Sequence, residues 1–99
     1  MSEQARAAAS EVIRRRVVVH GLVQGVFFRD SARQQAERLQ VAGSVRNAPD
    51  GTVVAVYEGA PDAVEQMIAW SRRGPSRAHV DHIKVSPEAP KGDAGFTVT

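Results

Sequence analysis

The chain is 99 residues long, 42% hydrophobic and 24% charged, with 13 Lys and Arg against 11 Asp and Glu and a formal charge of +2. Such a length holds one domain whose modest core hides roughly 60–70% of the unfolded surface. The absence of cysteine excludes a disulfide framework, a thiolate metal site and a cysteine nucleophile, and basic residues scattered among acids argue against a nucleic-acid face.

Met1 to Glu11 offer small and polar residues without a large apolar anchor, so residues 1–13 are expected to be a frayed tail ahead of a domain at 14–99. The one basic run, Arg14-Arg15-Arg16, reads as a solvated strand entry. From Arg15 to Gly21 the β-branched run predicts a central strand. Leu22 to Phe28 follow as a loop that is unusually apolar for a surface connection. Ala32, Ala36 and Leu39 recur at helical spacing opposite Arg33, Gln34, Glu37 and Arg38, which predicts an amphipathic helix from about Arg29 to Val41, ended by Gly43.

Ser44 to Asn47, a turn at Ala48-Pro49-Asp50-Gly51, and Thr52 to Glu58 predict a hairpin, with Val53, Ala55 and Tyr57 on one face. Pro61 and Asp62 suit the first turn of a second helix, whose buried stripe is Ala63, Val64, Met67 and Ile68, with Trp70 at its margin. Arg72-Arg73-Gly74-Pro75 stops it; Ala78 to Val85 and Phe96 to Val98 read as further strands. The order gives an α+β, ferredoxin-like βαββαβ sandwich, two helices on one face of an antiparallel sheet, with a short extra C-terminal strand. No stretch approaches the ~18 apolar residues of a membrane span, and no signal-type apolar core opens the chain, so a cytoplasmic protein with no membrane partner is expected.

The chemistry concentrates in the connection from the first strand to the first helix. Gly21 and Gly25 permit a sharp turn that aims successive N–H groups inward, a concavity that binds anions. The positive end of the helix and the planar, permanently charged fork of Arg29 add to it. Val23, Val26, Phe27 and Phe28, with Trp70, read as core and loop anchors. The spacing lacks the Gly-Lys-Ser/Thr of a nucleotide P-loop. His20, His79 and His82 lack convergent carboxylates or a helical spacing, so strand and surface roles are expected and no metal site.

Gly21-Leu22-Val23-Gln24-Gly25-Val26-Phe27-Phe28-Arg29 resembles the signature of the acylphosphatase family, and Gly43-Ser44-Val45-Arg46-Asn47 with Gly51-Thr52-Val53 and Gly59 resembles its second. The resemblance, from about Arg16 to Val98, implies hydrolysis of acyl phosphates to a carboxylate and inorganic phosphate without metal or cofactor. It further implies that Arg29 binds the phosphoryl group with the main-chain amides of Val23, Gln24, Gly25, Val26, Phe27 and Phe28, and that Asn47 positions the attacking water. Gln24 has a second reading, as a brace for the loop. Ser44 stands where the family usually has an aromatic residue; strand neighbours face oppositely, so a change in packing is expected without loss of a contact beside Asn47.

The physical requirements agree. The carboxylate leaving group has a conjugate-acid pKa of about 4, so charge stabilisation and an aligned water suffice, with no general acid. The working unit is expected to be a monomer acting on a small acyl phosphate, with phosphate or sulfate as competing anions. Two rivals share the βαββαβ order. An RNA-binding module needs stacking aromatics on its internal strands, where this chain has only Tyr57. A non-catalytic domain of a hydrogenase maturation protein need not keep both Arg29 and Asn47.

Overall fold

The valine run forms β1 (Ile13–Leu22) in the computed structural model, which describes residues 11–99. Most of the expected tail at 1–13 therefore lies outside the described residues. After β1 come α1 (Phe28–Leu39), β2 (Ala42–Asn47), β3 (Val53–Gly59), α2 (Pro61–Arg73), β4 (His79–Glu88) and β5 (Phe96–Val98). The sheet order is β4-β1-β3-β2-β5, so β1 is interior, as its β-branched composition implies.

The four longer strands pair antiparallel, in the ferredoxin-like order, but β5 lies parallel to β2 and makes the sheet mixed. The chain after β4 reverses while crossing to the opposite edge, and that reversal sets the direction of β5. Val17, Val19, Val45, Val53, Ala55 and Tyr57 form the core face of the sheet beneath Phe28, Ala32 and Ala36 of α1 and Val64, Met67 and Ile68 of α2.

Three local expectations are corrected. α1 ends at Leu39, because Gln40 adopts a left-handed conformation (φ 58°) and Val41 N–H closes back on the Ala36 carbonyl at 2.8 Å. Gly43 consequently belongs to β2. The buried stripe of α2 takes in Ser71, whose hydroxyl meets the Tyr57 hydroxyl at 2.7 Å and donates to the Met67 carbonyl at 2.8 Å, leaving Ala63 half-buried. Burial pushes the Tyr57 phenol up to about 12.

The third correction concerns the basic run. Arg14 is 6% exposed, and its guanidinium reaches Glu58 at 3.0 Å, Glu88 at 2.9 Å and Asp93 at 2.7 Å. Glu58, itself buried, also accepts the main-chain N–H groups of Lys91, Gly92 and Asp93. These bonds hold its carboxyl below the usual glutamate range, with the Lys91 N–H the largest cause and Arg14 assisting against desolvation. A lowered folded-state value contributes stability that is present above the ordinary value near 4.5 and is lost as pH falls through the folded one.

Removing Arg14 leaves a buried carboxylate without its counter-charge. Arg14→Ala is expected to cost about 3 kcal/mol, the low end for a broken buried pair because Glu88 and Asp93 are partly hydrated. That is a drop of roughly 12 °C or more in melting temperature for a domain of this size. Thermal melts of both proteins between pH 7 and 3 check it, and a shift below 3 °C at pH 7 overturns it.

Candidate active site

The amino end of α1 faces a cleft of about 410 Å³ lined by Val23, Gly25, Phe27, Phe28, Arg29, Asp30, Arg33, Asn47 and Val98. Its first wall is the connection out of β1. Gly21 sits within β1 at a bulge against β4, where a Cβ would run into the His79 carbonyl, so close strand approach requires glycine there. Gly25 differs: its surroundings are open, and its φ of 74° sets the requirement. Phe27 is also left-handed, at φ 65°, immediately before α1. Among the described residues no side chain caps α1. Its leading N–H groups therefore remain available beside the cleft, where the helix dipole favours negative charge.

Buried Val23, Val26 and Phe28 hold this loop from beneath. Phe28 packs against Trp70 with ring centroids 5.1 Å apart, tying the start of α1 to α2. Phe27 does not share that role, as its side chain is 67% exposed at the cleft. The left-handed backbone turns successive residues apart, so the two neighbouring phenylalanines end in opposite environments. Gln24 lies outside the cleft lining. Its Nε2 donates to the Ala48 carbonyl at 2.8 Å and the Thr52 carbonyl at 2.9 Å, bracing the loop against the hairpin. Val26, 8% exposed, is likewise beneath the cleft and not on its wall.

The hairpin supplies the second wall. Its turn is closed by Gly51 N–H donating to the Ala48 carbonyl at 3.1 Å, and Asp50 Oδ1 accepts the Thr52 N–H and hydroxyl at 3.0 and 2.6 Å. Those Thr52 bonds hold the Asp50 carboxyl below its usual range. Asn47, at the end of β2, follows Gly43 and Val45 along the core-facing side of the strand, whereas Ser44 and Arg46 point the other way. Its side-chain amide takes no part in the bonds that close the turn, and the residue lines the cleft.

The Arg29 guanidinium is positioned from a part of the chain 70 residues away, donating from Nη1 to the Thr99 main-chain oxygen at 3.1 Å. Thr99 N–H in turn donates to the Val45 carbonyl at 3.0 Å. The neighbouring charges are already matched. Arg33 pairs with Asp30 at 2.7 Å and Glu37 at 3.3 Å, and Asp30 also accepts from Gln34. This keeps the Asp30 carboxylate engaged at the mouth of a site suited to anions.

Of the residues singled out from sequence, Val23, Gly25, Phe27, Phe28, Arg29 and Asn47 thus share one cleft, and Gln24 and Val26 support it. Val98, Thr99, Asp30 and Arg33 were not foreseen. The 29/33 spacing, one helical turn, was legible, but the contact with Thr99 had no local signal. The histidines stand elsewhere: His20 and His82 stack across β1 and β4 with centroids 4.2 Å apart. Tyr57 is fully buried under the helices, so it cannot stack a base on the open face of the sheet.

Comparison with known proteins places this cleft in context. Residues 15–98 match the family model described as Acylphosphatase. An acylphosphatase from Rubrobacter xylanophilus is 51% identical over 92 residues, covering 92% of this chain and 84% of that protein. The structure of an acylphosphatase from Coxiella burnetii superimposes with a TM-score of 0.87 at 32% identity, covering all of both chains. HypF from T. kodakarensis aligns at a TM-score of 0.77 and 28% identity over 88% of this chain, but only 12% of HypF.

Proposed function

The chain belongs to the acylphosphatase family and hydrolyses acyl phosphates, and we propose that it does so in the cleft between the amino end of α1 and the end of β2. The observation that carries this reading is that Arg29 and Asn47, from different elements, line one cleft beside uncapped helix amides. In the proposed reaction the loop and helix N–H groups and Arg29 hold the phosphoryl oxygens. Asn47 orients a water behind the phosphorus. The water oxygen forms the new P–O bond as the bond to the acyl oxygen breaks, and the electron pair leaves with the carboxylate. The water proton passes to a phosphoryl oxygen, which gives inorganic phosphate.

This division of roles follows from charge. The leaving carboxylate is a weak base at neutral pH and needs no proton, so the barrier lies in gathering negative charge on the equatorial oxygens. Preorganised N–H groups and a fixed guanidinium stabilise that charge without reorganising. Every group invoked comes from one chain, so the monomer suffices for the chemistry.

A preformed anion site makes inorganic phosphate a ligand of the resting protein. With EDTA present and ionic strength held constant, phosphate is expected to raise the melting temperature, and chloride is not. Saturation to 100 times Kd corresponds to ~2.7 kcal/mol, a shift of roughly 10 °C or more for a domain of this size. Arg29→Gln should remove most of it. Equal shifts with the two salts, or a full phosphate shift in Arg29→Gln, would overturn the assignment of the cleft.

A further inference from the structure

Phe27 combines two costly features at the rim of the cleft. It is 67% exposed, and its φ of 65° is a conformation that a bulky side chain rarely adopts. Such strain persists where the surroundings over-determine it, often at a ligand contact. Over the exposed ring lies the Arg77 guanidinium, 5.8 Å from its centroid, within cation–π range.

Packing fixes the segment that carries Arg77. Gly74 ends α2 so close to the Phe28 ring that a Cβ there would stand 2.9 Å from Phe28 Cε2. The chain then turns tightly, with Ala78 N–H donating to the Pro75 carbonyl at 2.9 Å. Arg77 is thereby held beside the same loop that brings Arg29 to the cleft. Among the described residues no carboxylate pairs with it, whereas Arg33 is engaged by Asp30 and Glu37. A guanidinium stacked on a ring uses its flat face and keeps its N–H edge free, the edge that grips a carboxylate.

We propose that Phe27 and Arg77 form the acyl-side half of the site and favour acyl phosphates whose acyl group carries a second, distal carboxylate. This rests on the reading of the cleft as the acyl phosphate site. The phosphoryl end occupies Arg29 and the loop amides, the body of the acyl group lies against the Phe27 ring, and the distal carboxylate meets the edge of Arg77. Water reaches this subsite, so its effect is selectivity of modest size that salt weakens.

The test compares kcat/KM for benzoyl phosphate and 4-carboxybenzoyl phosphate, which share the reacting bond and differ in a rigidly placed carboxylate. The wild-type enzyme is expected to prefer the carboxylated substrate about fivefold at low ionic strength. Arg77→Gln brings the ratio close to one, and Arg77→Glu inverts it. Arg38→Gln, removing equal charge from the far end of α1, leaves the ratio within twofold. A wild-type ratio near one, or a preference that survives Arg77→Gln, overturns the subsite. Near-native turnover of both substrates by Arg29→Gln would instead overturn the reading of the cleft, and the subsite with it.

Discussion

Replacing Arg29 by glutamine is expected to lower kcat/KM for a simple acyl phosphate by about 10³-fold or more, with a raised KM and a reduced kcat. Among the described residues no Asp or Glu side chain pairs with this guanidinium, whereas the neighbouring Arg33 is engaged by Asp30 and Glu37. The Arg29 charge acts on the substrate and more strongly on the transition state, so both constants should change. Removing one preorganised donor alone costs ~10²–10³ in rate, and loss of a full charge on a phosphoryl group costs more; 10³ corresponds to about 4 kcal/mol.

Arg29→Lys should recover only part of this. A lysine provides a point charge, whereas the guanidinium can keep its bond to the Thr99 oxygen while presenting other N–H groups to the phosphate. Steady-state kinetics of the three enzymes are the measurement. A glutamine variant within tenfold of wild type would remove Arg29 from the reaction.

Asn47→Ala should lower kcat by ~10²–10³ and leave KM within about twofold. Aligning a water matters only as the phosphorus–oxygen bond forms, so the ground-state complex is indifferent to its loss. The rival reading of Asn47, as a shaper of the hairpin, makes a different forecast. The turn is held by Ala48, Asp50, Gly51 and Thr52, and the Asn47 amide takes no part in those bonds. The alanine variant should therefore melt within about 0.5 kcal/mol of wild type and keep the full phosphate-induced stabilisation. Near-native kcat would refute the water-positioning role, and a large loss of stability would return Asn47 to the hairpin.

The elements were legible because their signals are local. Val17 to Val19 mark a strand by β-branching, Ala32 and Ala36 mark a helix face by spacing, and Asp50-Gly51 mark a turn by backbone preference. Errors arose where distant chemistry competed with local chemistry. Arg14 looks solvated beside Arg15 and Arg16, but Glu58, Glu88 and Asp93 are 44, 74 and 79 residues away in sequence. Gly43 looks like the helix stop, yet Gln40 accepts the left-handed conformation three residues earlier because Val41 N–H can close on Ala36.

By itself, the sequence determined the backbone course and the packing of the first connection. Gly25 must supply a positive φ, Val23, Val26 and Phe28 must be buried, and Arg29 must follow within one helical turn. Those requirements lie within a few residues of one another, where bond geometry and side-chain size decide. Only the tertiary structure decided that β5 runs parallel to β2, that the Thr99 oxygen holds Arg29, that Phe27 points outward while Phe28 points in, and that Arg77 stands over the exposed ring. Each of these depends on which surfaces remain after the sheet and both helices have packed, and segments up to 70 residues apart carry no local trace of where packing will bring them.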